Sequence, residues 1–468
     1  MTSASNKDMK RWAVLFAVVA LYFVIDFLPC PEGLEIVGKR ALAVMICTTI
    51  LWVTAVLPMG ISALMALMLC PVLGITTLPD VVDRFAEPVF FFFVASYIIA
   101  NGLTVTGLDR RITLMMAVVS NGDPKKLLFV FMMGASLISA ILSDIAVVLM
   151  TMPVALMLLN ATGCNPGTSR YGKAVMIGIA LAALIGGMGT PAGSSTNVMA
   201  LSVLESAAGV KVEFLQWTIL AMPIVLLVTP LAYFVLINWF KPEITKLEGI
   251  ENAREELAAL GALSLQEKKY IAIMAITLVV WITESIHGMG IPITSTLAAV
   301  TFFLPGINLM TWNETKGSIM WDVILVINVC TALGNLIWTT GAAGWIAGGV
   351  SGIFGGLSLA VMLIVLGLIV VFGHLICPVN PALVSILIPI ACGIAAAQGI
   401  NPAVLAIPVG FMVSCACLIP LDAITLITYG TGYYKMQEMF LPGLAISIGW
   451  VLIATVVMLI LPPMMGLM

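Results

Sequence analysis

Trp52-Val-Thr-Ala-Val-Leu-Pro58 opens an apolar segment that closes on Leu73-Gly-Ile75, and Trp281-Ile-Thr-Glu-Ser285 opens another that closes on Leu304-Pro-Gly-Ile307. The two lie roughly 230 residues apart, about half of the chain. Further matches keep a similar spacing: Thr106-Gly107 with Thr340-Gly341, Met152-Pro-Val154 with Ile388-Pro-Ile390, and a proline break at Pro191 with another at Pro420. A chain that states one pattern twice over such a length is built from two structural copies. In a membrane transporter, two copies place a shared site where they meet.

Composition puts the chain in a membrane. Apolar residues make up 61% and charged residues 9%, and the mean hydropathy is +1.16. A soluble protein of this length needs far more charge to cover its surface. Apolar runs recur near the ~20 residues that a helix needs to cross hydrocarbon, and period-two alternation, the mark of a membrane β-barrel, is absent. The first run follows a short polar N-terminus without a small-residue cleavage site, so it reads as a retained helix and not as a signal peptide. A net charge of −3 implies no nucleic-acid partner. The nine Cys form no C-x-x-C pair, and the two His, His287 and His374, are too few for a His-based metal centre. No nucleophile–base pair stands out, so an enzyme is not expected, and no organic cofactor is implied.

The runs predict helices over 12–29, 38–57, 60–76 and 88–106, followed by an amphipathic stretch carrying Arg110 and Arg111. Two shorter apolar pieces, 127–142 and 145–160, meet at Ser143-Asp144. A long run over 174–204 is interrupted at 186–197, and 215–239 closes the first half. The polar segment 241–269 mixes Glu and Lys and reads as a solvated cytoplasmic helix, a plain tether. The order then repeats: 270–288, 291–308, 320–339, paired pieces 357–376 and 382–398 around Cys377-Pro-Val-Asn-Pro381, an interrupted run 403–430, and 440–462.

Suppose that the N-terminus is cytoplasmic and that each paired short piece goes in and comes back. Then only Lys39, Arg40, Arg84 and Lys211 of the 20 Lys and Arg fall outside. The positive-inside rule favours that layout, which weakens if the first hairpin crosses and carries Arg170 and Lys173 outward. Each copy then has an odd number of crossings, which turns the second upside down. The expected fold is an all-α polytopic membrane protein with about eleven transmembrane helices, two re-entrant hairpins, two inverted repeats and broken helices at mid-membrane. Its expected parts are 1–37 (N-terminal segment and first helix), 38–240 (first repeat), 241–269 (linker) and 270–468 (second repeat). The expected location is the plasma or inner membrane, with the N-terminus inside.

Non-helical backbone at membrane depth is tolerated only where protein buries it or a wet cavity adjoins it. Four such places occur, in two pairs: Ser143-Asp144 with Val379-Asn380-Pro381, and residues 189–197 with residues 420–425. Helix N-termini freed by a break suit an anion. Unwound carbonyls and side-chain oxygens suit a cation such as Na⁺. Asp144, Asn380 and Asp422 each also have a plain reading as a helix cap, because Asp and Asn are favoured there. Capping and ligation are compatible at a hairpin tip. A carboxylate at bilayer depth costs on the order of 3 kcal/mol, and two of them argue for a coupling role. His374, near the second tip, reads either as functional or as packed and hydrogen-bonded to backbone.

These residues resemble the divalent anion/sodium symporter family, the fold of Na⁺-coupled dicarboxylate and citrate transporters, over essentially the whole chain. The resemblance rests on Trp52-x-Thr…Pro58, Trp281-Ile-Thr-Glu284, Gly107-Leu-Asp-Arg-Arg-Ile112, Gly187-Met-Gly-Thr-Pro-Ala-Gly193…Asn197, and Ser414-Cys-Ala-Cys-Leu-Ile-Pro420 leading to Tyr429-Gly-Thr-Gly-Tyr433. It implies a homodimer of eleven-helix protomers, a scaffold and a moving transport region, and elevator-type alternating access. Of the family's Ser-Asn-Thr triplet at each tip, only Ser143 and Asn380 are kept. Ser139 matches the family's sodium-site serine. The resemblance places Ser139, Ser143, Asp144, Gly193 and Asn197 around a first cation, and Asn380 and Asp422 at a second. Ser143, Ser194, Ser195, Thr196 and Asn380 would hold the substrate, with Ala423 at the corresponding point of the second break. The expected activity is secondary transport of a small organic anion, di- or tricarboxylate-like, coupled to Na⁺ or H⁺. The alternatives are another small solute such as an amino acid, drawn by the two Asp, or an anion channel or receptor on the same fold.

Overall fold

The computed structural model describes residues 2–465, and every regular element among them is an α-helix. The first half runs α1 (Thr2–Phe27), α2 (Ile36–Thr54), α3 (Met59–Val72), α4 (Leu78–Phe85), α5 (Pro88–Thr106) and α6 (Leu108–Val119). The hairpin of α7 (Pro124–Ser139) and α8 (Asp144–Ala161) follows, then the broken pair α9 (Arg170–Gly187) and α10 (Ser195–Ala208), then α11 (Phe214–Phe240). The connecting segment carries α12 (Ile250–Ala259). The second half runs α13 (Leu265–Ile282), a turn α14 (Glu284–His287), α15 (Ile291–Thr301), a turn α16 (Trp312–Thr315), α17 (Trp321–Thr339) and α18 (Ala342–Phe354). It ends with the hairpin α19 (Leu359–Gly373) and α20 (Asn380–Ala397), the broken pair α21 (Pro402–Val413) and α22 (Ala423–Tyr429), and α23 (Met436–Met464). Eight helical stretches among the described residues are long and apolar enough to cross a membrane; shorter apolar helices such as α3, α15, α19 and α21 accompany them.

Most boundaries fall where local chemistry puts them. Asp123 caps α7 by accepting the amides of Lys125 and Lys126, with Pro124 at the first helical position, where its missing N–H costs nothing. Gly107 ends α5 in the left-handed region at φ 76°, which only glycine enters without penalty. Some expected boundaries need correction: the second break, expected over 420–425, runs over 414–422 between α21 and α22. The stretch 60–76 is helical only to Val72, because Gly74 takes φ +68°. The stretch 291–308 is helical only to Thr301, because the chain turns through Pro305 and Gly306, the latter at φ +88°. And α18 was not anticipated: four glycines between Gly344 and Gly352 broke up its apolar pattern.

Two bodies result. In one, α17 packs on α2, α3 and α4, and α5 packs on α13 and α15. The other centres on α9, which is buried along its length except at Arg170 and Lys173 and packs against α7, α8, α11 and α22. Long α11 and α23 lie against each other on its flank. The two broken pairs interlock reciprocally: α10 packs on α20 and α21, while α22 packs on α8 and α9. This exchange brings both breaks and both hairpin tips to one place.

The segment 241–269 is largely exposed and carries the expected helix, α12, but it is tied to the first half at several points and so is a strap and not a plain tether. Arg111 of α6 donates to Glu267 Oε1 at 2.6 Å and to the carbonyls of Gly261 and Leu260 at 2.8 and 3.2 Å. Arg110 pairs with Glu256. Leu247 N donates to Gly122 O, and Glu243 accepts from Ser169 Oγ and Tyr171 N. The Arg111 guanidinium holds the Glu267 carboxyl below its ordinary range.

Candidate functional site

The first hairpin turns between Ser139 and Asp144, and the break in α9/α10 lies against that turn. Short residues make this possible. A Cβ on Gly186 would sit 2.1 Å from Ser136 O, and one on Gly193 would sit 2.5 Å from both Gly187 O and Ser139 O and 3.1 Å from Ala140 O. Three main-chain oxygens therefore converge over Gly193. The Cβ position of Gly187 is 3.3 Å from Asp144 Oδ2 and 3.5 Å from Ser139 Oγ. Ser139 Oγ donates to Ala183 O at 2.7 Å, and Thr190 ties the break to the tip through Ala140 O. Asn197 donates from Nδ2 to Gly187 O and Thr190 O, both at 2.8 Å. Its Oδ1 is buried and has no hydrogen-bond partner among the described residues. The cap of α8 is Ser143, so Asp144 is its first helical residue and not the cap; it accepts the Ile145 amide at 2.9 Å and the Ser143 and Ser194 hydroxyls.

This donor set is all oxygen: one carboxylate, one amide oxygen left free, a hydroxyl and several carbonyls. Such ligands suit a hard monovalent cation. Among the described residues, no group of three or more His, Cys, Asp or Glu could hold a metal ion. A buried acceptor without a donor is costly, and a cation supplies what Asn197 Oδ1 lacks.

The second tip has a different content. Asn380 donates to Asp422 Oδ2 at 3.0 Å, and Asp422 caps α22 by accepting the Ile424 amide at 2.9 Å. The cap of α20 is Val379, so Asn380 is its first helical residue and not the cap. Asn380 Oδ1 is also buried without a partner. His374 is packed and hydrogen-bonded to backbone, with Nδ1 2.8 Å from Val370 O and Nε2 2.9 Å from Val413 O. The space between His374 and Asp422 is only about 10 Å³, room for a water.

A cavity of about 250 Å³ opens beside the first tip. Ser143 and the start of α8 form one wall, and Tyr97, Asn101 and Thr104 of α5 form the other, with Asp109 and Ser318 further along. No Lys, Arg or His lines it.

The structure thus brings Ser139, Ser143, Asp144, Gly193, Ser194 and Asn197 together, and pairs Asn380 with Asp422. Ser194 and Thr196 hydrogen-bond each other at 3.0 Å. Ser195 is half-buried at the start of α10, and Ala423 is exposed. Sequence reasoning missed Tyr97 and Asn101, polar residues inside an apolar helix, which is itself a signal at membrane depth. It also missed Glu87, which accepts from Ser202 of α10 and from Asn335 of α17 and so joins the two bodies.

The sodium:sulfate symporter transmembrane region matches this chain over residues 9–468. The chain belongs to the divalent anion/sodium symporter family. It is 24% identical to a sodium-dependent dicarboxylate transporter of Staphylococcus saprophyticus, over 97% of this chain and 91% of that one. It is 25% identical to a membrane protein of Cupriavidus necator, over 93% and 89%. Two solved transporters share the fold. The Neisseria gonorrhoeae MtrF structure aligns with a TM-score of 0.58 at 12% identity, covering 96% of this chain and 94% of that one. The Alcanivorax borkumensis YdaH transporter aligns with a TM-score of 0.52 at 15% identity, covering 80% and 86%. This symporter is accordingly a multi-pass secondary active transporter and not an enzyme, from a family whose coupling ion is sodium.

Proposed function

We propose that the chain moves a small organic anion of the carboxylate class together with Na⁺ by elevator-type alternating access, as a homodimer in the plasma or inner membrane. One observation carries the reading: the oxygen cage of Ser139, Asp144, Gly193 and Asn197, with Asn197 Oδ1 left buried and free. Na⁺ fills that cage and draws the first tip onto the α9/α10 break. Ser143, Ser194, Ser195 and Thr196 then present hydroxyls and helix N-termini to the cargo, and Asn380, Asp422 and Ala423 face it from the second tip. The body built on α9 and the two hairpins travels against α17 and α5.

The cavity lies beside the first tip while the second is closed. With the N-terminus and the first hairpin cytoplasmic, as the charge distribution favours, this is a state open to the inside. The two hairpins are then re-entrant from opposite sides, and the parts 1–37, 38–240, 241–269 and 270–468 are the N-terminal helix, the first repeat, the strap and the inverted second repeat.

A second reading, cargo with a cationic group such as an amino acid, is favoured by the two tip carboxylates. Uptake into proteoliposomes under a Na⁺ gradient tests the proposal. Asp144→Asn keeps the side chain's size and an oxygen that can accept the Ile145 amide and removes the charge, so it should raise the Na⁺ concentration needed for half-maximal uptake. If H⁺ drives transport instead, the variant flattens the pH profile. Unchanged Na⁺ and pH profiles would reduce Asp144 to a structural residue of the first turn of α8 and remove the cage from the mechanism.

A further inference from the structure

The two tips differ in what they offer a cation. At the first, the main-chain oxygens of Gly187, Ser139 and Ala140 converge on the empty Cβ position of Gly193, Asp144 Oδ2 stands over Gly187, and Asn197 Oδ1 is free. The second break, 414–422, contains no glycine, so it has no such opening beneath a missing Cβ. Its Cys417 carbonyl is turned against Gly443 of α23, where the missing side chain makes room. Thr425 is the third residue of α22, as Asn197 is of α10, and it donates its hydroxyl to Asp422 O at 3.0 Å.

His374 fills the place that remains. The last residue of α7 is Ser139, with a short hydroxyl, whereas the C-cap of α19 is His374, with a buried ring. That ring reaches across the tip. Its Nε2 lies 2.9 Å from Val413 O, a carbonyl that the break leaves without a helical partner, and its Nδ1 lies 2.8 Å from Val370 O. Carbonyl oxygens only accept, and an imidazolium donates from both nitrogens. The ring can therefore bring to this tip what a metal ion would bring to its oxygens. Asp422 is already engaged: Oδ2 accepts from Asn380 at 3.0 Å and Oδ1 from the Ile424 amide at 2.9 Å. Asn380 Oδ1 makes no hydrogen bond, and the Asn380 side chain lies beside the His374 ring. The space of about 10 Å³ between His374 and Asp422 is lined otherwise by apolar residues such as Leu375 and Leu421, so one side-chain carboxylate faces it and no cage of oxygens does.

We infer that His374 takes the place of a second coupling cation: this carrier binds one Na⁺ per chain, in the cage at the first tip, and none at the second. The inference deepens the transport reading above and rests on it. Asn380 and Asp422 then serve the cargo and His374, not a metal ion.

Binding of radioactive Na⁺ to the purified full-length protein, counted per chain across a range of Na⁺ concentrations, tests this. The parent should saturate at one Na⁺ on a hyperbolic curve, and Asn197→Ala should lose that binding. His374→Ser gives the second tip the short hydroxyl that the first has and frees Val413 O. It should bind two Na⁺ per chain, on a curve that turns sigmoidal. A histidine that is only packed would, on replacement, lower stability and leave the count at one. A parent that saturates at two, or saturable Na⁺ binding that survives Asn197→Ala, overturns the inference, and neither measurement needs the His374 variant to fold. A folded His374→Ser that still binds one Na⁺ overturns it as well. Failure of the transport reading looks different: the parent binds no Na⁺, and proteoliposomes show no Na⁺-driven uptake of succinate or L-alanine.

Discussion

Gly193→Ala is the sharpest probe of the cage. Its Cβ would lie 2.5 Å from Gly187 O and from Ser139 O, both of them main-chain atoms that cannot swing aside. Restoring an ordinary contact of 3.4 Å requires the first tip and the break to part by about 0.9 Å. Overpacking of this kind costs roughly 1–3 kcal/mol of stability. The functional cost is larger, because a binding constellation has to be held within about 0.5 Å and a misplacement near 1 Å can cost on the order of a hundredfold. The expected outcome is a protein that folds with a lowered melting temperature and needs at least tenfold more Na⁺ for the same ligand-induced stabilisation. Gly344→Ala is the control: nothing lies within 4 Å of its Cβ position, and alanine in a helix gains up to about 1 kcal/mol over glycine. If Gly193→Ala responded to Na⁺ at the parent's concentrations, the cage would not be where Na⁺ binds.

Arg111→Ala should lower stability by about 3–5 kcal/mol by thermal unfolding, because it leaves Glu267 buried without its partner, and it should expose residues 241–264 to limited proteolysis; an uncleaved, fully stable variant would show that the strap is held by other contacts. The Glu267 carboxyl is held below its ordinary value, so its contribution is complete above the unfolded value of about 4.3 and fades as pH falls through the lowered one; Glu267→Gln should remove that acid-side loss from a stability–pH profile. Glu87→Gln should alter the rate of exchange between inward- and outward-open forms, seen as a changed turnover with unchanged Na⁺ affinity, because Glu87 bonds α10 to α17 and lies away from the cage; a shift in Na⁺ affinity alone would contradict that role. On a cysteine-free background, a cysteine at Thr168 should label from the cytoplasm and one at Lys211 from outside; external labelling at Thr168 would mean that the first hairpin crosses the membrane and would break the inverted-repeat arrangement.

The hairpins and breaks were legible because polar punctuation inside apolar runs has few other meanings at membrane depth. Ser143-Asp144 and Cys377–Pro381 fell at the real turns and the interruption at 186–197 at the real first break, whereas the second break runs over 414–422, earlier than the expected 420–425, whose last three residues begin α22. Asn197 and Ser139 were legible only through the family resemblance, and that Asn197 Oδ1 is left free is visible only in the packed structure. The solvated helix of the strap was legible but its anchoring was not, because the anchors join residues about 150 positions apart, Arg111 with Glu267 and Arg110 with Glu256, whereas local composition shows just a polar stretch. Glu87 escaped for the same reason, because its partners Ser202 and Asn335 lie on α10 and α17.

The flank formed by α11 and α23 carries a consequence for the lipid. These helices have 27 and 29 residues, about 40 and 43 Å at 1.5 Å per residue, against a hydrocarbon core of about 30 Å. Their outward faces are apolar far along that length, from Ile219 to Phe234 and from Leu441 to Ile460. Helices this long tilt, or thicken the bilayer around them, at a cost of fractions of a kcal/mol per Å of mismatch. In the elevator cycle proposed above the pair belongs to the moving body, and any displacement along the membrane normal changes that mismatch. Bilayer thickness then acts as a spring on the transport cycle, so acyl-chain length sets which end of the cycle is the resting one.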